Sequence, residues 1–174
     1  MTGREQPRQR LAQSDDVADA PLHIVLVEPE IPGNTGNIAR LCAATGCALH
    51  LVEPLGFSID DRSLKRAGLD YWHAMQVVVH ACLPEFLAAT AQRRHWFLST
   101  HASRLYTAAA FTRGDMLVFG AETRGLPRAL LAERADAALR IPMREQAVRS
   151  LNLATAAGIV TYTALACLGF PELD

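Results

Sequence analysis

Two segments near the carboxyl terminus have residue types that could form a ligand pocket. Residues 119–127 read FGAETRGLP, and residues 141–143 (IPM) are followed by RSLNLA at residues 149–154. Each segment starts where an apolar, strand-like run stops and leads into a helix-like run, and ligands of open α/β sheets bind at that edge. The pattern predicts one composite pocket, with glycine backbone on one wall and serine and asparagine side chains on the other.

Three residues of these segments have types suited to ligand contact. The missing side chain at Gly120 would let a flat ligand approach the backbone, although a glycine here also suits a plain tight turn before a helix. Ser150 fits a helix N-cap and a ligand contact equally well. Asn152 falls within an apolar helical run, so its amide needs partners, which a ligand or a facing loop would supply.

A third segment, EPEIPGNTGNIAR at residues 28–40, combines a turn with the start of a helix. Asn34 or Thr35 can cap that helix. Asn37 and Arg40 are three residues apart on the edge away from the apolar stripe, so both can point at the same ligand. A helix cap followed by a solvated arginine explains the segment equally well.

A dinucleotide-binding βαβ unit is an alternative interpretation of the same segment. A strand, a glycine-bearing turn, a helix and a second strand that ends at Glu53 follow one another in the required order. The turn, however, is G-x-x-G at residues 33–36 instead of G-x-G-x-x-G, and it carries Pro29 and Pro32. The sequence also has no G-K-[ST] phosphate loop, so hydrolysis of a nucleoside triphosphate is not expected.

The elements that would position these segments alternate along residues 21–174. The predicted strands are residues 22–28, 48–53, 76–80, 95–100, 115–120 and 137–141, and the predicted helices are residues 35–45, 60–67, 84–92, 127–134 and 151–168. Short Val/Ile/Leu-rich strands between helices of about ten residues predict an α/β domain, with a parallel sheet covered by helices on both faces. Residues 1–20 are polar and without periodicity, which predicts a disordered tail.

Composition narrows the class of protein. A chain of 174 residues suits one domain, and a net charge of −1 gives no overall basic field, although a local basic face can still bind RNA. Four cysteines without C-x-x-C spacing and six histidines without ligand spacing indicate neither a disulfide framework nor a metal site. The first twenty residues lack the apolar core of a secretory signal. We therefore expect a cytoplasmic protein with no metal and no membrane span.

Five motifs, taken together and in order, resemble those of the TrmL-type tRNA (cytidine/uridine-34) 2′-O-methyltransferases of the SPOUT superfamily. They are PEIPGNTGNIARLC, EPLGF, RAGLDY, FGAETRGLP and IPM followed by RSLNL. The resemblance covers essentially all of residues 21–174. It implies an α/β fold with a C-terminal trefoil knot, against the usual rule that chains do not thread loops. It also implies a homodimer that binds S-adenosylmethionine in the knot.

The resemblance assigns roles to particular residues. The backbones of Leu98, Gly120 and Ile141 would line the adenosine, with Ser150 beside it, and Arg40 matches the family's catalytic arginine. The resemblance also places the segment with Lys65, Arg66 and Tyr71 near the tRNA. The other candidate substrate-binding residues are Asn37, Glu122, Arg124 and Asn152. The implied reaction is methylation of the ribose 2′-hydroxyl of the wobble nucleotide, position 34, in the anticodon stem-loop of tRNA. The alternatives are a methyltransferase of another RNA site with the same fold, and a non-catalytic RNA-binding dimer.

Overall fold

The computed structural model describes residues 17, 19–58, 76–144 and 148–174. The predicted helix over residues 60–67 lies outside the described residues, and so do the candidate substrate residues Lys65, Arg66 and Tyr71. All other candidate site residues are among those that the structure describes.

Within the described residues, seven strands form one sheet in the order β3-β2-β1-β6-β4-β7-β5, and every neighbouring pair is parallel. The strands are β1 His23–Val27, β2 Ala48–Val52, β3 Val77–His80, β4 His95–Leu98, β5 Arg104–Leu105, β6 Met116–Phe119 and β7 Ala138–Arg140. The predicted parallel sheet is confirmed. Strand β5 was not predicted, because two residues at a sheet edge have no detectable period.

Helices cover both faces of this sheet, as predicted. The helices are α1 Pro32–Thr45, α2 Leu83–Ala89, α3 Arg128–Glu133 and α4 Leu153–Cys167, and single 3₁₀ turns cover Tyr106–Ala108 and Ala135–Ala137. Side chains alternate along β1, so that Ile24 and Leu26 pack in the core beneath α1 and α4, whereas Val25 packs with Phe86 of α2 and Leu130 of α3. In the described parts of the chain, no helix is long and apolar enough to cross a membrane.

Residues near the end of the predicted tail are packed against the sheet. Val17 and Ala20 are buried beside Ala48 of β2 and Val78 of β3. The backbone carbonyl of Asp19 accepts a hydrogen bond of 2.6 Å from the Arg113 guanidinium. The folded part of the chain therefore includes residue 17.

Helix α1 begins three residues earlier than the sequence pattern predicts. Its N-cap is Ile31, which has no side-chain hydrogen bond to the helix, and Pro32 opens the first turn, where its missing N–H is no loss. The prediction that Asn34 or Thr35 caps α1 is therefore wrong, since both lie inside the first turn. The predicted end is confirmed, because Gly46 closes the helix with a φ of 68°.

Helix α4 is capped by Asn152. The side-chain oxygen of Asn152 accepts hydrogen bonds from the backbone N–H groups of Ala154 at 2.9 Å and Thr155 at 3.3 Å. The N-cap role considered for Ser150 therefore belongs to Asn152, because α4 begins at Leu153, two residues later than predicted.

Three buried histidines form a row across neighbouring strands: His23 lies in β1, His50 in β2 and His80 in β3. His23 Nδ1 lies 3.0 Å from His50 Nε2, and His50 Nδ1 lies 3.0 Å from His80 Nε2. His23 Nε2 is buried and has no hydrogen-bond partner among the described residues. Because a buried N–H without an acceptor is costly, the row is best satisfied when His23 donates to His50 and His50 donates to His80. In that arrangement all three rings are neutral.

Candidate active site

A cavity of about 760 Å³ opens at the carboxyl ends of β4, β6 and β7. This is the sheet edge that the sequence predicts for the ligand. The wall includes seven of the candidate site residues: Leu98, Gly120, Glu122, Arg124, Ile141, Ser150 and Asn152. Asn37 and Arg40 are both exposed on α1, and the structure places neither on the wall.

The glycine at position 120 is required by the protein's own backbone. A Cβ atom there would lie 2.2 Å from the carbonyl carbon of Gly125 and 2.3 Å from the nitrogen of Leu126. A turn brings this backbone close, because the Gly125 N–H donates to the Ala121 carbonyl at 2.8 Å and Gly125 has a φ of 67°. Of the two explanations that the sequence allows for Gly120, ligand approach and a tight turn, the crowding by the protein's own backbone supports the tight turn.

Replacing Gly120 by alanine should therefore lower the free energy of unfolding. We expect a loss of about 1–3 kcal/mol, the usual cost of forcing an extra carbon into a packed site, measured by urea denaturation. The control is Gly33→Ala, because a Cβ at Gly33 meets nothing within 4 Å. Equal stability of the two variants would contradict this account of the turn.

The loop after β1 and the loop after β6 lie side by side, because β1 and β6 are neighbouring strands with Leu26 opposite Phe119. We call residues 28–31 the first loop and residues 121–127 the second loop. The Glu122 carboxylate of the second loop accepts hydrogen bonds from the Glu30 N–H at 2.7 Å, the Ile31 N–H at 3.2 Å and the Asn34 side chain at 3.0 Å. Its oxygens are thus occupied by protein donors.

Glu30 makes the reciprocal contact from the first loop. Its carboxylate accepts the Thr123 N–H at 2.9 Å and the Thr123 hydroxyl at 2.7 Å. These two hydrogen bonds, assisted by the nearby Arg124 charge, hold the pKa of the Glu30 carboxyl below its usual value. Glu30 therefore remains ionised and able to accept both bonds at neutral pH.

Two further contacts flank this pair of glutamates. Arg124 forms a short ion pair with Glu28, whose φ of 52° is unusual for a residue other than glycine. On the other side, the Asn152 amide donates to the Asn34 side-chain oxygen at 2.8 Å. The partner that the Asn152 amide requires is thus supplied by the facing helix α1.

The cavity wall is basic although the whole chain is not. Its charged residues are three exposed arginines, Arg124, Arg128 and Arg149, and one acid, Glu122, whose oxygens are already occupied. An excess of positive charge around a cavity attracts a polyanion such as RNA. Neither Arg128 nor Arg149 was predicted as a site residue, although Arg149 begins the RSLNLA segment predicted to line the pocket.

Among the described residues, no group of three or more His, Cys, Asp or Glu side chains is placed to hold a metal ion. The site consists of backbone at the strand ends, an apolar floor and a basic rim. Such a site can bind and orient a small organic molecule and a phosphate-bearing partner.

Comparison with known proteins gives consistent matches. The model of the SpoU rRNA Methylase family matches residues 21–162. The chain is 52% identical over 149 residues to the tRNA (cytidine(34)-2′-O)-methyltransferase of Saccharophagus degradans, covering 85% of this chain and 96% of that relative. A solved structure described as giving insights into the 2′-OH methylation of C/U34 on tRNA superposes with a TM-score of 0.80 at 46% identity, covering 85% of this chain and 96% of that chain.

A more distant solved structure contains a bound ligand. It is an AdoMet-bound rRNA methyltransferase from Sinorhizobium meliloti, similar with a TM-score of 0.79 at 26% identity. The similarity covers 92% of this chain and 62% of that one.

Proposed function

Because the chain belongs to the SpoU rRNA methylase family, we propose that it methylates the ribose 2′-hydroxyl of nucleotide 34 of tRNA, with S-adenosylmethionine as methyl donor. The observation that carries this proposal is the 52% identity to a relative named for that reaction, over 96% of the relative's length. The cavity at the strand ends supports it. We place the reaction in the cytoplasm and its substrate contact at the anticodon stem-loop.

The cavity fits S-adenosylmethionine in size and in wall chemistry. Its volume falls within the range of about 300–1,000 Å³ that is usual for small-molecule sites, and Phe119 and Leu139 give it an apolar floor. We propose that the backbones of Leu98, Gly120 and Ile141 hold the adenosine. Ser150 lies on the same wall and would contact it. When bound, the cofactor supplies the reactive methyl group.

We propose that Arg40 acts on the RNA and not on the cofactor, since it is exposed on α1 and away from the cavity wall. A guanidinium with a pKa above about 12 cannot serve as a base at neutral pH. It can hold the phosphate next to nucleotide 34 and stabilise the negative charge that develops on the 2′-oxygen. Asn37, on the same exposed edge of α1, would contact the same RNA.

Three residues predicted as substrate contacts are better explained as positioning residues. Glu122 and Asn152 use their polar atoms in contacts with α1 and the first loop, and Arg124 pairs with Glu28. We therefore propose that these three residues hold the loops and helices of the site in place and do not contact the RNA. Lys65, Arg66 and Tyr71 lie outside the described residues and stay proposed RNA contacts.

We propose that residues 21–174 form the catalytic domain and that its C-terminal part is knotted, as the family resemblance implies.

We further propose that the chain forms a homodimer through α4. Helix α4 packs against α1 and β6 on one side, yet its opposite side exposes Tyr162, 48% accessible, together with Ala166 and Cys167. An exposed tyrosine on an apolar helix suits the centre of an interface.

Light scattering at micromolar concentration should therefore give the mass of two chains. We expect Tyr162→Asp to shift the mass toward one chain, because a two-fold axis would place the new charge opposite its own copy. Gln92→Asp, at an exposed position after α2, is the control and should remain dimeric. A monomeric wild-type protein would contradict the proposal.

Transfer of labelled methyl from S-adenosylmethionine to an anticodon stem-loop tests the proposed function. We expect incorporation into the RNA with a free 2′-hydroxyl at nucleotide 34 and none into the same RNA with a 2′-deoxyribose there. Equal labelling of both RNAs would favour a methyltransferase of another site. Absence of cofactor binding by calorimetry would favour the non-catalytic RNA-binding dimer.

A further inference from the structure

The two glutamates at the mouth of the cavity bind each other's loop in a reciprocal way. Glu122 accepts the N–H of Glu30, and Glu30 accepts the N–H of Thr123, the residue that follows Glu122. Both oxygens of each carboxylate are used, and the second bond of Glu30 comes from the Thr123 hydroxyl. We call these contacts between residues 30–34 and residues 122–123 the glutamate clasp.

The clasp supplies what helix α1 lacks at its amino end. Ile31, the N-cap, has no side-chain hydrogen bond to the helix, and no acidic residue lies in the first turn. The Glu122 carboxylate instead lies at this end, where it accepts the backbone N–H of Ile31 and the side-chain amide of Asn34. A negative charge at this position is favourable, because the amino end of a helix carries partial positive charge.

The position of α1 matters because this helix carries Asn37 and Arg40 on its exposed edge. The second loop lines the cavity, whereas Arg40 lies on α1, and the clasp joins the second loop to the amino end of that helix. Asn34 extends the same contacts to Asn152 and hence to the start of α4. Because α1 also packs against α4 and in the core, the clasp fixes mainly the amino end of the helix, and we expect its loss to alter where Arg40 stands relative to the cavity.

We propose that Glu30 and Thr123 are positioning residues for methyl transfer, which hold helix α1 so that Arg40 stands at a fixed place beside the cavity. This inference rests on the proposed function, in which Arg40 acts on the RNA. Neither side chain was selected from the sequence. Their contact depends on β1 and β6 being neighbours in the sheet, 93 residues apart in sequence.

The test compares Thr123→Val, which loses the hydroxyl donor at nearly constant volume, with Thr123→Ser, which keeps it. In single-turnover methylation at saturating cofactor and RNA, we expect Thr123→Val to be about tenfold slower than wild type, since small misplacements of a reacting group are costly. Thr123→Ser should recover to within about twofold of the wild-type rate. Dissociation constants for cofactor and RNA should stay nearly constant in both variants.

Two further variants and a second readout separate positioning from general damage. Glu30→Ala should slow transfer at least as much as Thr123→Val, because it removes both hydrogen bonds and not the hydroxyl bond alone. The double variant should be little slower than Glu30→Ala, since the hydroxyl then has no partner left to lose. Glu85→Ala is the matched control, since Glu85 also accepts a backbone N–H, that of Ala81 at 3.0 Å, but at α2. Hydrogen exchange at the first turn of α1 should become faster in Thr123→Val and in Glu30→Ala, and should stay unchanged in Thr123→Ser and Glu85→Ala.

These measurements distinguish a failure of the positioning role from a failure of the proposed function. If Arg40→Ala is inactive while Glu30→Ala and Thr123→Val transfer at the wild-type rate, the positioning role is wrong and the proposed function stands. A slower rate accompanied by an equal loss of cofactor affinity also overturns the positioning role, as does unchanged hydrogen exchange at α1. If the wild-type protein transfers no methyl group to the RNA, the proposed function and this inference fall together.

Discussion

Replacing Arg40 by alanine should lower the single-turnover rate of methyl transfer about a hundredfold or more, the usual effect of removing one donor that stabilises developing charge. The affinity for S-adenosylmethionine should be nearly unchanged, because Arg40 is not among the residues that line the cavity. The free energy of unfolding should change by less than about 1 kcal/mol, since the residue is exposed. The measurements are quenched methylation of an anticodon stem-loop, calorimetry and urea denaturation.

Lysine at position 40 should restore the activity only weakly, because an ammonium cannot reproduce the bidentate geometry of a guanidinium. The control is Arg134→Ala, which removes another exposed arginine, one that forms a surface ion pair with Glu133 at 3.2 Å. Activity of Arg40→Ala within a few-fold of wild type would remove Arg40 from the mechanism. The segment would then be explained by the alternative of a helix with a solvated arginine.

The second large effect concerns the stability of the protein in acid. Burial lowers the pKa of His23 to about 4 and that of His50 to about 2, with further lowering of His50 by the neighbouring histidines. Burial also lowers the pKa values of His80 and His95. Each of these rings is thus held neutral in the folded state at a pH where the unfolded chain, with a pKa near 6.5, binds a proton.

The sign of the effect follows from this difference. The folded pKa is below the unfolded one, so the stabilisation is complete above about pH 6.5 and is lost as the pH falls toward 4. Each buried histidine contributes about 1.4 kcal/mol per pH unit in this window. As the pH falls from 6.5 to 4.5, His23 and His50 together should therefore lower the free energy of unfolding by on the order of 5 kcal/mol. This loss is comparable to the whole stability of many domains.

Urea denaturation at a series of pH values between 7.5 and 4.5 measures this loss. We expect His50→Gln to reduce the slope of stability against pH, because one of the titrating groups is gone, whatever its stability at pH 7.5. The same free energy of unfolding at pH 5 and at pH 7.5 in the wild-type protein would contradict the assignment of a neutral histidine row.

The sequence predicted the layers of the fold because its periodic signals are local. Short Val/Ile/Leu-rich runs between helical segments identified six strands. The apolar stripe along α1 identified that helix, which Gly46 closes. The start of α1 was misplaced, since Asn34 and Thr35 have good capping side chains but Pro32 had already opened the helix. A proline at the first turn was the stronger signal.

The cavity was predicted at the correct edge, because the segments that begin at Phe119 and Ile141 follow strand-like runs. The contacts inside the site could not be predicted. They join Glu30 to Thr123 and Asn34 to Asn152, which are 93 and 118 residues apart, and they depend on the order of strands in the sheet. The sequence left the reason for Gly120 open between a ligand and a tight turn, because the backbone that crowds this position is visible only in the folded turn.

The central claim is methylation of one ribose, and mapping the product at nucleotide resolution tests it most directly. Full-length tRNA incubated with the protein and S-adenosylmethionine should be digested and analysed by mass spectrometry. We predict a single added methyl group on the 2′-oxygen of nucleotide 34, absent when the protein is the Arg40→Ala variant. A methyl group at any other nucleotide, or unmodified tRNA despite bound cofactor, would contradict the account.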